Sequence, residues 1–150
     1  MSLYIRKADP QDAEALKDLY FLHLTKEPPT KPQDLDLWRR KLADFERDPH
    51  YHILVGEVNG VPVSSVTLVI VENLTHNMRP YALIENVVTH RDYRGQHFAR
   101  ELILHARSIA IEHGCYKIML LTGSKQESTL NFYRSCGFDQ NAKTGFLMRL

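Results

Sequence analysis

The run Val88-Thr89-His90-Arg91-Asp92-Tyr93-Arg94-Gly95-Gln96-His97-Phe98-Ala99 constrains this chain more than any other segment. It passes from an apolar, β-like stretch into a helix through a short loop that carries Arg94 and Gly95. The first amide N–H groups of a helix have no intrahelical acceptor, and the helix dipole favours negative charge beside them. A strand feeding a helix through a glycine-bearing turn therefore builds an anion site from main chain alone. Gly95 permits close backbone approach, and Arg94 can add charge-assisted hydrogen bonds.

The periodicity around this junction alternates between strand and helix. Leu3 to Arg6 reads as a first strand, and Asp9 then caps a helix with Pro10 at its first position, where a missing N–H costs nothing. Ala13, Leu16, Leu19, Tyr20 and Leu24 give that helix one apolar stripe, and the prolines of 27–32 end it. A second helix is predicted from Gln33 to Arg47, with Leu35, Trp38, Leu42 and Phe45 on one face. Asn59-Gly60 joins two β-like runs, Tyr51 to Val58 and Val61 to Val71, in the clearest hairpin of the chain. A polar loop from Glu72 to Pro80 leads to a strand from Tyr81 to Thr89. A helix from His97 to His113, a strand from Tyr116 to Leu121 and a helix from Gln126 to Ser135 follow. Gly137-Phe138 and Gly145-Phe146-Leu147-Met148 suggest a closing pair of strands. The order βααβββαβαββ, with no linker or repeat, predicts a single mixed α/β (α+β) domain over residues 1–150.

Composition narrows the function. At 150 residues the chain can bury about 70% of its unfolded surface and needs no metal or disulfide staple. A net charge of +1 argues against nucleic-acid binding driven by phosphate neutralisation. Cys115 and Cys136 form no CxxC or metal-ligand pattern, and the eight histidines supply no HxxxH or HExxH pair. Thr122-Gly123-Ser124-Lys125 lacks the upstream glycine of a Walker loop, and Ser124 reads instead as a cap for the helix that follows. Without an apolar run of membrane-spanning length or a signal-peptide core, a soluble cytoplasmic protein with no membrane or metal partner is expected.

A wider set of segments carries a family resemblance. Ile84-Glu85-Asn86-Val87-Val88, Arg94-Gly95-Gln96-His97-Phe98-Ala99, Gly114-Cys115-Tyr116-Lys117-Ile118, Leu121 to Lys125 and Asn131-Phe132-Tyr133-Arg134-Ser135-Cys136-Gly137-Phe138 occur in that order. Together they resemble the acetyl-CoA-binding motifs of the GNAT superfamily of N-acetyltransferases. Segments 84–99 and 114–118 are most similar to its glucosamine-6-phosphate N-acetyltransferase branch. Arg94 and Ala99 match the family's Arg/Gln-x-x-Gly-x-Gly/Ala pattern, while His97 replaces its middle glycine.

The resemblance implies a twisted mixed sheet of six to seven strands, splayed between the fourth and fifth, with helices on both faces. The pantetheine of acetyl-CoA would pair with Val87, Val88 and Thr89. Its pyrophosphate would rest on amides of Gly95, Gln96, His97, Phe98 and Ala99, with Arg94, Arg100 and Gln126 also at the cofactor and Arg91 and Lys125 available. Tyr133 is the expected catalytic acid for the departing thiolate. Glu85 is the expected base or positioning group for the amine, on the premise that partial burial raises its pKa. Strand alternation would put Glu85, Val87 and Thr89 on one face unless a bulge at the splay shifts the register. His76, Arg79 and Asn86 are the candidate acceptor contacts.

The implied activity is direct transfer of acetyl to a primary amine of a small molecule in a ternary complex, with no covalent acetyl-enzyme. A non-catalytic acyl-CoA sensor, an interaction subunit that binds no cofactor and a protein N-acetyltransferase are the alternatives. Family habit adds a possible homodimer.

Overall fold

Asn59 and Gly60 take φ angles of 51° and 80°, the left-handed pair that a type I′ turn requires. In the computed structural model, which describes residues 1–25 and 27–150, that turn joins β2 (Tyr51–Val58) to β3 (Val61–Val71). Residues 53–56 and 63–68 are buried without alternation, as expected of central strands covered on both faces. β1 (Tyr4–Lys7) pairs antiparallel with β2, and β4 (Tyr81–Thr89) antiparallel with β3. β5 (Ile118–Met119) completes the sheet in parallel with β4, in the order β1-β2-β3-β4-β5.

The first helix changes its winding twice. Asp9 and Asp12 form a capping box: the Asp9 carboxylate accepts from Gln11 N at 2.8 Å, and that of Asp12 from Asp9 N at 2.8 Å. A 3-10 turn at Pro10–Asp12 leads into α1 (Ala13–Asp18), which continues as a π-helical turn over Leu19–Leu24. α2 (Leu35–Arg47) is capped by Asp34, whose side chain accepts from Asp36 N and Leu37 N. Ala13, Leu16, Leu19 and Leu42 bury their apolar surface against Ile53, Val55 and Val88, with Trp38 and Phe45 packed around them. α3 (Phe98–Glu112) packs against β2, β3 and β4, with Phe98, Leu102, Ile103, Ala106 and Ala110 buried.

Two compact units result, Met1–Met119 and Leu120–Leu150. The first holds the whole sheet with α1, α2 and α3. The second is built on α4 (Glu127–Ser135), where Tyr133 packs edge-on against Phe132 and Phe138 at centroid distances of 5.1 and 6.3 Å.

The mixed α/β class agrees with expectation, but the strand count does not. The strand expected over Tyr116 to Leu121 shrinks to two residues, and neither closing strand forms, so among the described residues five strands replace the six to seven expected. Phe146, Leu147 and Met148 are consecutive apolar residues rather than an alternating set, and they stay 91%, 69% and 84% exposed. Short segments of this kind gain too little burial to offset the entropy of ordering a ladder.

Candidate functional site

A bulge shapes the free edge of β4. Thr67 lies opposite Glu85 and Ser65 opposite Val88, so three steps along β4 match two along β3. The extra residue falls at Asn86, whose φ is 52°. Plain alternation would group Glu85 with Val87 and Thr89. The bulge instead puts Glu85 and Val88 on one face, the face of Ile53 and Val55 that α1 and α2 cover.

His90 N donates to Val63 O at 2.8 Å, which directs the backbone groups of Val87 and Thr89 away from β3. The β4–β5 ladder reaches only Ala82 and Leu83. Beyond them, the outer edge of β4 has no ladder partner among the described residues. That edge is a template for an extended ligand.

The edge runs directly into the loop that precedes α3. A 3-10 turn at Arg91–Tyr93 is capped by His90, whose Nδ1 accepts from Asp92 N at 3.1 Å. Gly95 has φ 77°, and His97, the N-cap of α3, has φ 65°. His97 therefore takes the left-handed conformation that a glycine would take, and its side chain makes no cap hydrogen bond. Phe98 is buried against Val58 and Val63, which fixes where the helix begins. Helix geometry gives the amides of Phe98 and Ala99 no intrahelical acceptor. Gln96 is half-buried in the same loop.

Arg94 braces this loop from behind. Its Nε donates to Thr89 O at 3.2 Å and its Nη2 to His23 O at 3.3 Å, tying the loop to the π turn of the first helix. The His23 and His90 rings lie 4.2 Å apart, and Arg91 N donates to His23 Nδ1 at 3.4 Å. Burial, and then the charges of His90, Arg94 and Arg91, hold the His23 pKa below the usual histidine value.

The candidate acceptor residues divide. Asn86 lines a cavity of about 510 Å³ bounded by Tyr20, Trp38, Phe45, Tyr51 and Thr67. Glu85 is exposed rather than partly buried, and its charge adds to burial in raising the Tyr51 phenol pKa. Arg79 and His76 are not among the residues around that cavity. Arg79 donates to Gly114 O and Cys115 O, each at 3.0 Å, so its guanidinium ties down the end of α3. The His76 ring stacks on Tyr116 at 3.8 Å. His76, Asn77 and Met78 form a left-handed turn with φ of 54°, 60° and 61°.

Sequence reading did not single out Tyr20, Trp38, Tyr51 or Thr67 as functional. For Thr67 a signal existed, since with Ser64 and Ser65 it puts a hydroxyl into the apolar run of β3.

In the second unit, Tyr133 is half-buried on α4, and burial raises its pKa and keeps the phenol protonated. The N-cap of α4 is Gln126 rather than Ser124. Ser124 Oγ accepts from Gln126 N at 3.2 Å, forming the turn before the cap. Among the described residues, no three His, Cys, Asp or Glu side chains converge as a metal site, and no helix is long and apolar enough to cross a membrane.

Residues 14–138 match the model of the acetyltransferase (GNAT) family. Over 118 residues, 77% of this chain and 76% of the relative, the sequence is 31% identical to a glucosamine 6-phosphate N-acetyltransferase of Trypanosoma brucei brucei. The solved structure of a "putative acetyltransferase" from Agrobacterium tumefaciens str. C58 superposes with a TM-score of 0.88 at 41% identity, covering 98% of this chain and 99% of that one. A structure described as a transcriptional regulator from Bacillus halodurans C-125 gives a TM-score of 0.86 at 26% identity, covering 99% and 100%.

Proposed function

We propose, from the premise that this chain belongs to the GNAT acetyltransferase family, that it moves the acetyl group of acetyl-CoA directly to a primary amine of a small molecule. The observation that carries the reading is the continuity of the β4 edge with the α3 N-terminus. Outward backbone groups at Val87 and Thr89 suit the amides of a pantetheine arm, and the loop from Gly95 to Ala99 suits its pyrophosphate. Arg94 positions that loop through Thr89 O and His23 O. Arg100 and Gln126 are further cofactor contacts in this reading.

Chemistry follows from two side chains. The attacking amine must reach the thioester as a free base. Glu85, exposed on the strand beside the cavity, takes its proton directly or through a water. The amine lone pair forms the new C–N bond, the C–S bond breaks, and the electron pair leaves on sulfur as a thiolate. Tyr133 supplies the proton that turns the thiolate into CoA thiol, and burial keeps the phenol protonated for that step. The balance is one amide and one thiol from one amine and one thioester.

The test is thiol release across amine classes by the wild type, Glu85→Gln and Tyr133→Phe. Tyr133→Phe is expected to lower kcat about 100-fold with the acetyl-CoA Kd unchanged, and Glu85→Gln to lower it strongly near neutrality, where the amine arrives protonated, and least above the amine's own pKa. Full turnover by both variants would remove these assignments. Acetyl-CoA should also raise the thermal midpoint, because a ligand selective for the folded state stabilises it. A stabilised chain that releases no thiol with any amine would instead be a sensor.

A further inference from the structure

We propose that the 510 Å³ cavity between α1, α2 and the β2–β4 face seats the acceptor, and that its chemistry selects an amine carried on a flat aromatic body rather than a phosphorylated amino sugar. The inference rests on the acetyl-transfer reading for its chemistry, but on the cavity alone for its specificity.

Four aromatic side chains line it: Tyr20 and Trp38, with ring centroids 6.2 Å apart, and Phe45 and Tyr51, stacked at 4.0 Å. The indole N–H of Trp38 is already spent on Gln33 Oε1 at 3.0 Å, so that ring offers the cavity only its apolar surface. Among the described residues one cation, Lys41, lines the cavity, and its Nζ lies 5.4 Å over the Phe45 ring. A phosphate dianion is best held by several converging cations, and the described lining offers Lys41 with otherwise neutral side chains. Stacked rings favour a flat apolar body, and their negative faces also attract an ammonium on its way in.

The polar groups gather at one end. Thr67 is 1% exposed, lines the cavity, and its Oγ1 has no hydrogen-bond partner among the described residues. The Tyr20 phenol faces Thr67 and Ser65 without completing a bond to Thr67. A buried hydroxyl left unpaired asks for a ligand atom. Thr67 lies directly opposite Glu85 in the β3–β4 register, and the bulge at Asn86 puts its amide at the same end. An amine N–H donating to Thr67 Oγ1 would therefore sit beside the Glu85 carboxylate, with its carrier between the aromatic walls. The π-helical winding of Leu19–Leu24 begins where Tyr20 lines this cavity, and π turns of this kind are frequent at functional sites.

The experiment uses the whole chain and two probes, 2-phenylethylamine and glucosamine 6-phosphate. Calorimetry in the presence of CoA reads binding, and thiol release with acetyl-CoA reads turnover. 2-Phenylethylamine is expected to bind and to show kcat/KM at least about tenfold above glucosamine 6-phosphate. Thr67→Val should raise its KM about tenfold and leave the acetyl-CoA Kd unchanged, with a thermal midpoint equal to or above wild type, since it removes an unsatisfied hydroxyl. Trp38→Phe should retain binding, and Trp38→Ala should weaken it about tenfold or more.

A preference for glucosamine 6-phosphate, or no binding of 2-phenylethylamine, would overturn the proposal. So would a Thr67→Val variant that lost stability while keeping its KM. Absence of acetyl-CoA binding would defeat the transfer reading alone, because amine calorimetry still reports on the cavity. Binding without turnover would support the cavity assignment and fault the catalytic one.

Discussion

His97 shows how one residue can break a family pattern and keep its geometry. At φ 65° its β-carbon crowds the backbone, which costs about 1–2 kcal/mol for a residue other than glycine. Histidine is among the side chains that tolerate this region better than most. His97 stands where the family pattern has its middle glycine, and it adopts the left-handed conformation that a glycine there would take. His97→Gly removes the crowding but gives the unfolded chain about 0.5–1 kcal/mol more entropy to lose. Denaturant unfolding should therefore show His97→Gly equal to wild type or up to about 1 kcal/mol more stable, with acetyl-CoA affinity preserved, since the contacts proposed for the pyrophosphate are backbone amides. His97→Val, β-branched at a positive φ, should lose about 2 kcal/mol. A stability gain in His97→Val would show that the left-handed N-cap is not formed in solution.

Elements with strong local codes were legible in advance. The Asn59-Gly60 hairpin, the stripe of α2 and the span of β4 follow from turn chemistry and periodicity. The π turn was not legible, because Leu19, Tyr20 and Leu24 fit a helical stripe whichever winding carries them. Of the candidate site, the turn from β4 into α3 could be read from Gly95 and the helix that follows. The cavity could not, since its walls come from α1, α2 and three strands whose mutual packing no local pattern encodes. The same non-local logic governs the first helix. Arg6 on β1 makes a bidentate pair with Asp12, Nη1 to Oδ2 at 2.7 Å and Nη2 to Oδ1 at 2.8 Å, and its Nη2 lies 3.1 Å from Glu57 Oε2 on β2. Asp12 is 4% exposed, so Arg6→Ala would leave a buried carboxylate without its cation. Urea unfolding should record a loss of about 3 kcal/mol. Arg6→Lys should recover only part of it, because an ammonium cannot reproduce the fork. Equal stability of Arg6→Ala and wild type would mean that solvent already screens the pair.

Across the whole molecule, two histidines with lowered pKa values contribute to the response to pH. Burial lowers the His52 pKa, with Lys7 and His113 adding to it while Pro49 O and Asp48 oppose. Burial lowers that of His23, with His90, Arg94 and Arg91 adding and Asp92 opposing. Both therefore bind fewer protons when folded than the unfolded chain does, whose histidines titrate near 6.5. Where the unfolded state binds more protons, stability rises with pH. The contribution is complete above about pH 6.5 and is lost as pH falls from there through the lowered folded values. The thermal midpoint should thus be level above neutrality with respect to these groups and decline as pH falls below about 6.5. His23→Gln with His52→Gln should reduce that slope. The two sites are separable by place as well as by titration. His23 accepts from Arg91 N and its carbonyl holds Arg94, so its protonation loosens the loop that precedes α3. Hydrogen-exchange protection at residues 90–97, taken relative to intrinsic amide exchange at each pH, should fall as pH drops below the ordinary histidine range in the wild type and His52→Gln, and change less with pH in His23→Gln. A wild-type loop whose protection did not vary with pH would separate His23 from the anion loop and leave only the global term.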